Sequence, residues 1–365
     1  MQPDYQERIA QVRKTLARKR LDAFLVTGSE NRRYLSGFSA RDTHPSETSG
    51  FLLISANRLF LLTDSRYELE AREEAPGFEV VVVKRGYKRA IAGLTRRYRM
   101  RRFGIESSHL LVSTYESLDN IPDLKLISTK DTVEKMRAIK TAPEISEIEK
   151  SVHLNERVFA EIMRVLRPGI TEKEAAWEIE RVARSLGADD LSFESIVASG
   201  PNAAKPHAVP TDRKIGGGEP IIIDMGMRLN GYCSDMTRTV FLGSPPPELA
   251  EIYRIVREAQ VAAIEALKAE IKGVDADRSA REIIKSAGYG DAFGHALGHG
   301  VGLAVHEAPR LGPLSRDRLK PGMVVTVEPG IYLPGRGGVR LEDMVVIEEE
   351  SCRNLNRDQT FYSFS

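Results

Sequence analysis

The sequence predicts a two-domain α/β protein, and three observations carry that prediction. Up to about residue 130, short apolar runs alternate with charged amphipathic segments. Beyond it, long helical patterns with clear start signals are interleaved with β-branched runs. In the last third, several of those runs carry single acidic residues in otherwise apolar surroundings, where a lone carboxylate would be costly. The expected division is 1–130 and 131–365.

In the first domain, Asp4–Arg20 reads as a charged amphipathic helix and Ala23–Thr27 as a strand. Phe51–Ser55 and Leu59–Leu62 form a hairpin around Ala56-Asn57, and Glu79–Val83 is a further strand. Segments near 102–105 and 124–127 read as later strands, with helical stretches such as Ser65–Glu74 between them. Thr132–Lys140 is expected to be a linking helix. Pro143 opens a long helix to about Leu166, and Thr171-Glu-Lys-Glu174 is a capping box for a helix ending at Gly187. Pro246–Ile271 and Ala276–Ala287 complete the helices. A weak internal repeat relates Gly169–Ile179 to Gly273–Ile283, each opening with Gly, an aliphatic residue and a helix-capping residue.

Composition narrows the function. At 41% hydrophobic and 29% charged residues the chain has the make-up of a globular protein. A net charge of +1 gives no global electrostatic case for nucleic acid. Two cysteines, Cys233 and Cys352, argue against a disulfide framework and for a reducing cytoplasm. No run approaches transmembrane length, and the first residues show no apolar signal segment.

The chemistry is concentrated in five residues, Asp224, Asp235, His299, Glu328 and Glu342. Four carboxylates and one imidazole suit two divalent cations of moderate hardness rather than one structural zinc. Ile221 to Val240 reads as a hairpin turning at Asn230-Gly231, a type I′ signal. With Leu229 opposite Tyr232, Gly226 faces Asp235 and Asp224 faces Thr237. Asp224 and Asp235 then share a face as diagonal neighbours roughly 7 Å apart, with Gly226 leaving open space beside them. A one-residue slip would send one Asp to the other face. Cys233 is read as packing. Three histidines, His295, His299 and His306, lie among glycines 294, 298, 300 and 302. Met323–Val327 is a buried strand ending at Glu328. Further on, Arg340 and Glu342 share one strand face, so Arg340 either binds a substrate carboxylate or holds a ligand in place. His207 lies in a proline-rich loop.

The order Asp, Asp, His, Glu, Glu resembles the metallopeptidases that include methionine aminopeptidase, aminopeptidase P and prolidase, which share the pita-bread fold. Spacings of 11 for Asp224–Asp235, 29 for His299–Glu328 and 14 for Glu328–Glu342 fit the proline-specific branch. So do Gly-Tyr-Cys-Ser-Asp-Met-Thr-Arg-Thr, Gly-His-Gly-Val-Gly-Leu-Ala-Val-His-Glu, Glu-Pro-Gly-Ile-Tyr and Pro206-His207-Ala. The resemblance implies an N-terminal creatinase-type α/β domain and a C-terminal pita-bread catalytic domain. By it, Asp224 chelates one metal, His299 and Glu328 the other, and Asp235 and Glu342 bridge both. His207 and His306 sit near substrate, His295 is a further active-site candidate, and Glu328 relays the proton of the attacking water. Carboxylate-rich ligation favours Mn2+, with Co2+ and Zn2+ as the other fits. Proline-containing peptides are the implied substrates and a homodimer the implied assembly. The main expectation is an Xaa-Pro aminopeptidase; the alternative is a prolidase splitting Xaa-Pro dipeptides; a non-catalytic binding scaffold is the reading from another class. Residues 84–102 carry nine Lys and Arg and no acid, read as a solvated helix face or subunit contact, with nucleic acid an unlikely partner.

Overall fold

The chain divides into two units, Met1–Arg137 and Ala138–Ser365. The computed structural model describes residues 5–42, 44 and 46–362. The expected start of the first helix at Asp4 lies outside them, and the described helix is Tyr5–Lys19.

The first unit is built on a six-stranded mixed sheet. Its order is Glu79–Val82, Leu59–Thr63, Phe51–Ser55, Ala23–Val26, Arg102–Glu106 and Lys125–Thr129. The hairpin expected around Ala56-Asn57 forms, with Ile54 opposite Leu59. Ala23, Leu25, Phe51, Leu53, Phe60 and Phe103 supply one apolar layer. The basic run forms the helix Tyr87–Tyr98 and its flanks: Ile91 and Leu94 are buried, and all nine Lys and Arg are exposed. This matches the solvated helix face read from the sequence.

The second unit has two helix pairs, each lying against antiparallel sheet. Ala142–Val165 and Glu172–Ser185 share a core with the three-stranded sheet Ile196–Ser199, Pro220–Met225 and Met236–Phe241. Pro247–Ala266 and Gly273–Ser286 share another with a five-stranded sheet that includes Gly298–Gly300, Val324–Val327 and Asp343–Ile347. The suspected repeat falls on the second helix of each pair, both 14 residues long. Their starts differ, however. Thr171 caps the first through a capping box with Glu174, whereas the second begins at Gly273 itself, so Asp275 lies inside its first turn.

The hairpin register is as the turn chemistry requires. Asn230 and Gly231 have φ of 51° and 81°, Leu229 pairs with Tyr232, and Asp224 pairs with Thr237. One expectation fails. The position beside Asp235 is not open: a Cβ on Gly226 would stand 2.2 Å from the Ser234 carbonyl oxygen and 2.8 Å from the Phe193 ring. Gly226 is therefore there to let two backbones touch. A second expectation is also corrected, since Arg340 and Glu342 do not lie on one continuous strand. The ladder Gly337–Arg340 ends, Glu342 sits in the break, and Asp343–Ile347 begins a different sheet. The kink lets the Glu342 amide donate to the Thr237 carbonyl at 3.0 Å.

Because the obstacle at Gly226 is mainly backbone, it cannot rotate away. Gly226→Ala should destabilise the protein by about 3 kcal/mol, measurable as a lower urea midpoint. An unchanged midpoint would show that the two backbones can separate at no cost.

Candidate metal centre and active site

A cavity of about 720 Å³ opens at the centre of the second unit, and Asp224, Asp235, His299, Glu328 and Glu342 all line it. Strand ends place them. Asp224 comes from the buried strand Pro220–Met225, and Asp235 precedes Met236–Phe241, its hairpin partner. His299 is central in Gly298–Gly300, Glu328 follows Val324–Val327, and Glu342 occupies the break described above.

The side chains converge. Ligand atoms of Asp235, His299 and Glu342 lie within 4.8 Å of one another. His299 Nε2 is 3.4 Å from Glu328 Oε1 and 3.7 Å from Asp235 Oδ2. His299 Nδ1 donates to the Gly300 carbonyl at 3.1 Å, which leaves the Nε2 lone pair facing the carboxylates. Thr237 Oγ1 donates to Glu342 Oε2 at 2.7 Å. Asp224 Oδ1 is buried without a partner.

Such a cluster is electrostatically strained as bare carboxylates. Burial, then the charges of Glu342, Asp224 and Glu328, raise the Asp235 carboxyl well above its usual range. Burial and the neighbouring Glu328 and Asp224 do the same for Glu342, and burial carries Glu328 to about 8. Burial holds His299 down near 4, so its ring is neutral. Converging acidic oxygens, a neutral imidazole nitrogen turned among them and one orphaned buried carboxylate oxygen fit divalent cations by donor chemistry and charge.

Arg340, 3% exposed, is committed to the protein. Its Nη2 donates to Asp224 Oδ2 at 2.6 Å, its Nε to Thr237 Oγ1 at 3.1 Å, and its Nη1 to the Tyr332 hydroxyl and the Pro206 carbonyl. Of the two roles weighed for Arg340, this geometry fits holding a ligand. Tyr332, accepting from Arg340, donates its proton to His295 Nε2 at 2.9 Å, and His295 Nδ1 donates to the Ala296 carbonyl at 2.8 Å. Burial keeps His295 neutral, near 4. Both its nitrogens are therefore engaged within the protein, and His295, which lines the cavity, orients Tyr332. His207 and His306 also line the cavity and are exposed. The His306 ring meets His299 edge-on with centroids 4.3 Å apart, and burial followed by His207 lowers its pKa.

These motifs extend over the whole chain. The profile of Metallopeptidase family M24 matches residues 146–349, and that of the Creatinase/Prolidase N-terminal domain matches residues 8–139. The chain belongs to metallopeptidase family M24. Membership implies divalent metal ions, and the cluster above is where this M24 peptidase has the donors for them. An Xaa-Pro dipeptidase of Pyrococcus furiosus is 36% identical over 97% of this chain and 98% of its own length. The structure of an Xaa-Pro dipeptidase from Bacillus anthracis superposes with a TM-score of 0.92 at 38% identity, covering 97% of this chain and 98% of that one. An X-Pro aminopeptidase from Thermotoga maritima gives 0.86 at 36% identity, covering 96% and 98%.

Several residues of this M24 peptidase's site escaped the sequence. Thr237 was findable, because strand period two puts it on the face of Asp235. Tyr332 was visible only as part of a motif. Arg310 gave no signal: it lies on the short strand Glu307–Leu311, directly opposite His299, and that pairing is long-range. It is exposed, and it lines the cavity.

The raised carboxyls set a pH dependence. A carboxyl whose folded pKa exceeds its unfolded value binds more protons folded than unfolded between the two, so stability falls as pH rises through that interval. For Glu328 the interval runs from 4.5 to about 8. Cation-free protein should therefore lose melting temperature from pH 5 to 8, and added Mn2+ should flatten the decline. Parallel slopes with and without cation would contradict this electrostatic account.

Proposed function

We propose that the protein is an Xaa-Pro dipeptidase holding two divalent cations, with Mn2+ the best match to its donors. The observation that carries the choice of substrate is Arg310. Cross-strand pairing with His299 puts both side chains on one face, and the Arg310 guanidinium makes no ion pair among the described residues. A free cation in the wall of a peptidase cavity suits the carboxylate of a dipeptide, which stands one residue beyond the scissile bond. A longer peptide has an amide there instead. Full-length similarity to Xaa-Pro dipeptidases supports the same reading, so the sequence-based preference for an aminopeptidase gives way to its alternative.

By the motif order, Asp224, Asp235, His299, Glu328 and Glu342 would hold the cations. When bound, the cations supply Lewis acidity and bring the pKa of water toward neutrality. Glu328 takes the proton of the attacking water and passes it to the proline nitrogen as the C–N bond breaks. His306 and His207, both turned to the cavity, donate hydrogen bonds to the carbonyl oxygen as its charge develops. Arg340 holds Asp224 in place through its Oδ2. An Xaa-Pro bond has no N–H for a peptidase to grip, and this site has no need of one, because the carbonyl and the terminal carboxylate supply the handles.

Two outcomes follow. Arg310→Ala should raise KM for Xaa-Pro about 10- to 100-fold, the value of a charge-assisted hydrogen bond, and leave turnover of Xaa-Pro-amide unchanged. Equal loss on both substrates, or wild-type preference for Xaa-Pro-Yaa over Xaa-Pro, would favour the aminopeptidase reading. His306→Ala should lower kcat by roughly 10² or more while mass spectrometry finds the same metal content. Activity near wild type would remove His306 from the mechanism.

A further inference from the structure

The loop that carries His207 has an anchor that the catalytic scheme does not use. Glu172, in the first turn of the helix Glu172–Ser185, is 0% exposed. Its Oε1 accepts from the Ser199 amide at 2.7 Å and the Ser199 hydroxyl at 2.8 Å. Its Oε2 accepts from Asn202 Nδ2 at 2.9 Å, the Thr211 amide at 2.9 Å and the Thr211 hydroxyl at 2.6 Å. Those donors stand at the two ends of one loop, 199–211, and His207 lies between them.

The donor pattern leaves no ambiguity about the group required. Arg213 Nη1 donates to the Ser199 hydroxyl at 2.6 Å, and the Arg213 amide donates to the Thr211 hydroxyl at 3.2 Å. Each hydroxyl thus accepts from Arg213 and turns its own proton to Glu172. Five donors converge, and an ionised carboxylate offers acceptor sites on both oxygens. In either orientation a carboxamide would set its NH2 against a backbone amide, Ser199 or Thr211, that can only donate. Between the two ends, Asn202 donates to the Val209 carbonyl at 3.3 Å and accepts from Lys205 Nζ at 3.2 Å. Beyond the short turn Gly200–Ala204 it forms no helix or strand. On the cavity side, Pro206 accepts from Arg340, and Ala208 is buried in a small apolar cluster with Tyr332.

The other half of the unit repeats the device. Asp277, 1% exposed and on the helix Gly273–Ser286, accepts from the Leu297 amide at 3.0 Å and holds Arg281 through both carboxylate oxygens. Arg281 in turn donates to the carbonyls of Phe293 and His295. Each second helix therefore presents a buried carboxylate near its start that grips a histidine-bearing loop. Both clamps lie within the segments of the internal repeat, one position apart in its alignment.

We propose that Glu172 is the positioning residue for His207: its carboxylate closes the 199–211 loop at both ends and so fixes where the imidazole enters the cavity. This rests on the hydrolytic reading of the site, and it adds a residue that touches neither cation nor substrate. Displacing a catalytic group by about 1 Å costs on the order of 10²-fold in rate. Glu172→Gln should therefore lower kcat/KM on Xaa-Pro about 100-fold with bound metal unchanged. The same substitution made in His207→Ala should cost less than about 3-fold, because the residue through which it acts is already gone. Glu172→Asp, which keeps the charge and both acceptors, should recover part of the loss. Amide hydrogen exchange of residues 200–210 should quicken in Glu172→Gln. Should that variant fail to fold, Thr211→Val removes one hydroxyl donor and should show the same non-additivity at smaller size. Multiplicative losses in the double variant, or exchange in 200–210 equal to wild type, would overturn the proposal. Absence of Xaa-Pro hydrolysis by the wild type would count against the function, while the exchange measurement still judges the clamp.

Discussion

The second unit answers one electrostatic constraint: four carboxylates, Asp224, Asp235 and Glu342 buried and Glu328 half-buried, gather around one imidazole. Burial makes Asp235, Glu328 and Glu342 harder to ionise, and the charges of neighbouring carboxylates add to that. Cations relieve the repulsion, but they do not aim the oxygens. Aim comes from a mesh of neutral and cationic donors whose own positions are fixed by backbone. Arg340 fixes Asp224, Thr237 fixes Glu342, and Thr326 Oγ1 lies 3.3 Å from Glu328 Oε1. Thr237 joins the mesh together, since it accepts from Arg340 and donates to Glu342.

The constraint also explains the division of labour between the two sheets. Asp224 and Asp235 come from the three-stranded sheet, and His299 and Glu328 come from or directly follow strands of the five-stranded one. No sheet has to hold four like charges on its own surface. Arg340, between them, donates across the gap, and the Arg238 side chain, 0% exposed, donates to the Glu342 carbonyl and pairs with Asp343. A buried ion pair of this kind is weak evidence for net stability, but losing one partner leaves a charge stranded. The mesh is thus a device of geometry more than of stability.

How much of this was legible in the sequence depended on the range of the interaction. The turn at Asn230-Gly231 is local, so the hairpin register and the shared face of the two aspartates could be counted out in advance. The helix starts at Thr171 and Pro143 were equally local. Gly226 was misjudged because its neighbour, the Ser234 carbonyl, is on the partner strand, and a missing Cβ looks the same whether it leaves room or is required for contact. The strand through Arg340 and Glu342 was misjudged because alternation cannot reveal a break at which both sides remain buried. Glu172 was read only as part of a capping box, since its five donors lie 27 to 39 residues away.

The two arginines of the cavity show why residue type alone does not assign a role. Both are permanent cations with the same fork of donors. Arg340 is buried, and its fork is spent on a ligand, a threonine, a tyrosine and a backbone carbonyl; placing a substrate carboxylate there would require breaking contacts that hold Asp224. Arg310 is exposed, pairs with His299 across neighbouring strands and lines the same cavity. The cost of desolvating Arg340 is already met by its protein partners, whereas Arg310 gains a partner only when a carboxylate arrives. That difference is what a site needs if it is to select for a free chain end: an anchor that is incomplete without a carboxylate, beside a carboxylate cluster already held by its protein donors.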